Sequence, residues 1–156
     1  MKVGLHANMS DSDTHKIAAE LHIPFRTIAK SLSGEYGGLM EHLWIDFELI
    51  RSHAERRAPF SFRFQKRVSG KDRLTGIDHP DQYNVGHYSV RPDFDLLLRV
   101  PLAEVAGYAL QLIHESTAVL LTKAKKLGGF DAELFRSRFV SCCLAEGYRI
   151  QEARSL

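Results

Sequence analysis

An α+β fold, with an antiparallel β-sheet in the N-terminal and central part and C-terminal helices packed on one face, is what three features of this sequence predict. The stretch Glu41 to Ile50 places Leu43, Ile45, Phe47 and Leu49 at every second position, and Pro59 to Val68 does the same with Phe60, Phe62 and Phe64. Side chains on a strand alternate faces, so this pattern marks two half-buried strands with one oily and one charged side. From Pro101 onward the apolar spacing changes to that of helices, and strands followed by helices favour an α+β arrangement.

In chain order, Ser10, Asp11, Ser12 and Asp13 offer N-caps for a short helix from Thr14 to His22, which shares Ile17, Ala18 and Leu21 on one side. Ile23-Pro24 is expected to interrupt it. Residues 25–32 fit a second short helix or a strand, with strand-turn-strand favoured because Gly34, Gly37 and Gly38 form a turn leading into the strand that follows. The polar stretch Ser52 to Pro59 suits a loop between strands. If the flanking strands pair, Asp46 and Glu48 face Arg63 and Arg67, at ~0.2–1 kcal/mol for each opposed pair.

Residues 69–72 and 76–81 carry turn chemistry. Tyr83 to Val90 is a third strand, in which Gly86 points to a bulge or a close approach of another backbone. Residues 95–100 suit a short buried strand or a helical turn. Leu102 to Ala124 keeps helical spacing, as one helix or as two broken near Glu115-Ser116, and Gly128-Gly129 stops it. Asp131 then caps a helix carrying Phe135, Phe139 and Cys143, and residues 148–150 suit an edge strand.

The 156 residues, 44% hydrophobic and 26% charged, suffice for one domain with a buried core. The apolar runs are far too short to cross a bilayer, and Met1 to Asn8 lacks the apolar core of a signal peptide. The only cysteines, Cys142 and Cys143, are adjacent and poorly placed to bond each other, which fits a reduced, cytoplasmic protein. Net charge is only +2 but unevenly spread: residues 51–73 hold eight Arg and Lys against Glu55 and Asp72. A basic ribbon beside an acidic loop at 78–95 suits recognition of another macromolecule.

No catalytic motif accompanies these charges. The eight histidines match no zinc spacing, and no nucleophile elbow, phosphate loop or dinucleotide fingerprint occurs. Cys142 and Cys143 lie among Phe139, Val140 and Leu144, as packing residues do. The expectation is a non-catalytic protein without cofactor or metal. Its partner-binding candidates are Arg56, Arg57, Arg63, Arg67, His79, Tyr83, His87 and Arg91, because arginine and tyrosine anchor protein interfaces. A small hydrolase built on His79, His87 and nearby aspartates is a further possibility.

Two resemblances extend this reading. Ile17-Ala18, Leu21, Ile23 and Ile28 resemble the apolar skeleton of a helix-turn-helix, although His22 stands where that family usually has a turn glycine. This implies an alternative role in binding nucleic acid, through residues 14–32 or through the basic ribbon 51–73. Residues 34–50, with 84–94 (Asn84-Val85-Gly86-His87-Tyr88-Ser89-Val90-Arg91-Pro92-Asp93-Phe94), resemble in character the bacterial toxin-immunity proteins of contact-dependent and polymorphic toxin systems. That likeness implies a cytoplasmic protein whose partner is a cognate toxin domain. It assigns no membrane, no functional positions and no oligomeric state, and it makes nucleic acid the lesser partner.

Overall fold

The computed structural model describes residues 1–68 and 82–151, with side chains over 1–65 and 83–151. Four strands form one sheet in the order β1-β2-β4-β3: β1 (Lys2–Asn8), β2 (His42–Glu48), β3 (Phe60–Val68) and β4 (Gln82–Val90). The helices are α1 (His15–Leu32), α2 (Arg51–Arg56), α3 (Phe94–Leu97), α4 (Val105–Ser116), α5 (Val119–Lys123) and α6 (Ala132–Ala145). The α+β class and the C-terminal helices are as expected.

The sheet itself is mixed rather than antiparallel. β1 and β4 both run parallel to β2, and only β3 and β4 pair antiparallel. The cause is a strand the sequence reading passed over: in Lys2–Asn8 the odd positions Val3 and Leu5 are buried. A parallel neighbour needs a long crossover, and α1 supplies it between β1 and β2. The segment from α2 through β3 does the same between β2 and β4. The strands 41–50 and 59–68 are therefore not partners, because β4 lies between them. Charges expected to face one another, Asp46 and Glu48 against Arg63 and Arg67, are a strand apart.

Helix α1 runs unbroken through Pro24. An interior proline costs about 3 kcal/mol. Leu21, Phe25, Ile28 and Leu32 are all at most 1% exposed, and burying each contributes about 1.5–3 kcal/mol, so packing outweighs the lost bond. This overturns both the interruption at Ile23-Pro24 and the strand at 25–32. It also removes the helix-turn-helix alternative for 14–32: one straight-through helix has no turn to present a second helix to a groove.

Smaller differences follow the same logic. Residues 51–56 form α2 rather than a loop and 148–150 form no strand, while at 94–97 the helical alternative holds. Asp93 caps α3 by accepting from the amides of Asp95 and Leu96. The 101–126 region is two helices, separated at Thr117 and Ala118. Asp131 caps α6 through the Leu134 amide at 3.0 Å, as expected.

One core joins the inner sheet face to α1, α4 and α6. Leu43, Ile45 and Phe47 of β2 sit beside Tyr88 and Val90 of β4, against Phe25, Leu110, Ile113 and Phe139. Phe25 meets Phe47 edge-on at 6.1 Å. The oily side of β3 does point this way, since Phe60 and Phe62 both stack near Tyr88, but as an edge strand it leaves Phe60 43% exposed. A side chain at Gly86 would run into the side chains of Met40, Leu43 and Phe62, so packed side chains, rather than another backbone, explain the glycine.

Candidate functional site

Alternation sends the other half of every strand to the opposite, outer face. Pairing registers then set residues into rows across it. One row reads Gly4, Trp44, His87 and Arg63; the next reads His6, Asp46, Ser89 and Ser61. On the first, Trp44 lies where only a glycine leaves room, since a Cβ on Gly4 would come within 2.2 Å of its ring. His42 stacks on Trp44 at 5.5 Å, and Tyr83 meets His42 edge-on at 5.1 Å. His6 sits 6.0 Å from the same indole. The middle of the face is thus a band of aromatic and imidazole rings with Arg63 exposed at its β3 side.

Two polar details set this band apart. Burial pushes the Asp46 carboxyl above its ordinary range; His6 pulls it down and Glu48 pushes it further up. Among the described residues, the buried Nδ1 of His42 has no hydrogen-bond partner. Both groups carry an unrecovered solvation cost.

At the end of β2 the polar groups behave differently. Arg91 Nε donates to Glu48 Oε2 at 2.9 Å, Nη1 to the Ala58 carbonyl at 2.9 Å and Nη2 to Ser61 Oγ at 3.2 Å. His53 Nδ1 lies 3.0 Å from the same carboxylate oxygen. Arg91 is 8% exposed, and each of its three guanidinium nitrogens has an internal partner. Its expected role as a partner-contacting residue is corrected here: it holds β4 to β2 and to the start of β3.

The remaining expected contact residues divide clearly. Arg63 and His87 are direct register partners, and so are Arg67 and Tyr83, so four of them meet on β3 and β4. Arg67 is described in its backbone only. Arg56 and Arg57 are exposed at the end of α2, away from these rows in sequence and element. His79 lies outside the described residues, and with it the His79 part of the hydrolase possibility. His6, His42, Trp44 and the whole of β1 were not singled out. The signal for them was present in Lys2-x-Gly4-x-His6-x-Asn8, polar or small at every second residue.

The groups gathered here are ring faces, an arginine and a carboxyl. Among the described residues Asp46 makes no hydrogen bond to a serine or histidine, and no group of three or more His, Cys, Asp or Glu gathers as a metal site would require. Cys143 is fully buried and its thiol is pushed up to about 12 by burial, then by Cys142; Cys142 is raised for the same first reason. Neither is poised as a nucleophile. No helix among the described residues is long and apolar enough to cross a membrane. The chain matches no protein-family model, no curated protein and no solved structure.

Proposed function

We propose that this chain is a non-catalytic binding protein that neutralises a cognate bacterial toxin domain, with the β3–β4 half of the outer sheet face as its contact surface. The observation that carries the reading is the meeting of Arg63, His87 and Tyr83 on adjacent strands beside the Trp44–His42 stack. Tyrosine, tryptophan and arginine on a rigid sheet supply large contact area at little entropic cost. Arg56 and Arg57 extend the same basic character at the edge, where they steer encounter more than they hold the complex. The toxin itself comes from the resemblance in residues 34–50 and 84–94, and from nothing else.

The test pairs this chain with the product of the neighbouring gene in a bacterial host. Growth arrest by that product, relieved by this chain and not by its Arg63→Glu variant, is the expected result. No relief and no co-purified complex at moderate salt overturns the proposal.

A second reading has one observation in its favour. Aromatic rings beside an arginine on a sheet face also suit stacking of single-stranded nucleic acid. Such binding must weaken steeply with salt. A shift of single-stranded oligonucleotide at 50 mM salt that vanishes by 200 mM favours it, and no shift at either salt removes it.

A further inference from the structure

The β1 edge of the sheet offers a second site. β1 is an edge strand, paired only with β2. The Lys2 amide donates to the Glu41 carbonyl and the Leu49 amide to the Asn8 carbonyl, so the even residues of β1 turn their backbone groups toward β2. The odd residues Val3, Leu5 and Ala7 therefore turn theirs outward. Ser33 Oγ takes the Val3 amide at 2.9 Å. Among the described residues, Leu5 and Ala7 have no partner on that side for either amide or carbonyl.

This open edge runs along a groove of about 810 Å³ between β1 and α1. Its floor is apolar, from Val3, Leu5, Phe25 and Ala29, and Trp44 closes one end over Gly4. Its charged lining has one sign. Lys2, His6, His22, Arg26 and Lys30 line it, and no acidic side chain among the described residues does. His22, Arg26 and Lys30 are four apart along α1, one stripe over roughly 12 Å of helix. Lys2 and His6 stand on the opposite wall.

The geometry points to strand addition: an extended, acidic segment of a partner protein pairs with the free edge of β1 and sets its carboxylates between the α1 stripe and Lys2 and His6. Main-chain bonds to Leu5 and Ala7 fix its register, and alternation sends its side chains in turn toward the helix wall and toward the Trp44 end. Edge strands left open in this way are usually blocked by charge or covered. Here no further strand covers the edge, Leu5 keeps 4% of its surface exposed and Ala7 is half-buried, and the flanking charges select for the opposite sign. The groove shares Trp44 with the proposed toxin-contact surface, but strand pairing at Leu5 and Ala7 uses none of Arg63, Tyr83 or His87, so either stands without the other.

The test uses a fluorescent seven-residue peptide alternating Glu and Val, its Lys/Val counterpart, and the Glu/Val peptide N-methylated at alternate amides. The sole tryptophan reports directly, since Trp44 lines the groove. Expected are saturable binding of the Glu/Val peptide with a change in Trp44 emission, slowed amide exchange at Leu5 and Ala7, and at least tenfold weaker binding of the other two. Arg26→Glu with Lys30→Glu, both exposed positions, weakens it at least tenfold while the unfolding curve keeps its shape. Equal binding of the N-methylated peptide shows charge attraction without strand pairing and overturns the proposal. So does a silent Trp44 with unprotected Leu5 and Ala7 at millimolar peptide.

Discussion

The two ends of the outer sheet face use polar residues in opposite ways. At the end of β2, Glu48, Arg91, His53 and Ser61 satisfy one another. One row inward, Asp46 is held above its ordinary range, and at the far end of β2 the buried His42 Nδ1 has no hydrogen-bond partner among the described residues. The first arrangement is a structural clasp: its members account for one another. The second retains unpaired polarity that an apolar residue would avoid, and such groups cluster at functional surfaces. The contrast separates Arg91, which the fold consumes, from Arg63, which it leaves available.

Substitutions break this contrast at one end and sharpen it at the other. Arg91→Ala leaves Glu48 buried against His53 alone and frees the Ala58 carbonyl. The expected loss is about 3–5 kcal/mol, read as a lower midpoint in urea unfolding. Tyr88→Phe tests the inner face for comparison. The Tyr88 hydroxyl donates to the buried Ser116 carbonyl, so its removal costs about 1–2 kcal/mol by the same assay.

Asp46→Asn works in the opposite direction. In the fold the Asp46 carboxyl keeps its proton to higher pH than in the unfolded chain, where it titrates near 4. The folded state then binds protons more tightly, and stability falls as pH rises from the unfolded value through the raised folded one. Asp46→Asn removes that loss: the melting temperature rises at pH 7, and the gain shrinks toward pH 4. A decrease at pH 7 would mean that Asp46 belongs to a clasp like that of Glu48. The smallest effect belongs to Arg63→Ala, an exposed side chain, whose melting temperature stays within about 2 °C of the parent.

The sequence made the alternation of β2, β3 and β4 legible, and with it the outward placing of Arg63, Tyr83 and His87. It also showed the cap at Asp131. What it concealed was pairing. A period of two tells which side chains share a face, but not which strand lies beside which, and the insertion of β4 between β2 and β3 depends on contacts distant in sequence. The true partner of Glu48 was therefore Arg91, not Arg63 or Arg67. Pro24 misled in a similar way, because local backbone preference was weighed without the burial of Leu21, Phe25, Ile28 and Leu32. β1 was overlooked although Val3 and Leu5 alternate with Lys2, Gly4 and His6. Its seven residues form the edge on which the groove depends.

The central claim is that the ring-and-arginine face of β2, β4 and β3 binds a protein partner. Equilibrium titration of the neighbouring gene's product into the parent, Arg63→Glu and Arg99→Glu proteins tests it most directly, Arg99 being exposed and off that face. At least tenfold weaker binding for Arg63→Glu, with Arg99→Glu equal to the parent, is the predicted result. Equal affinity for all three would contradict it.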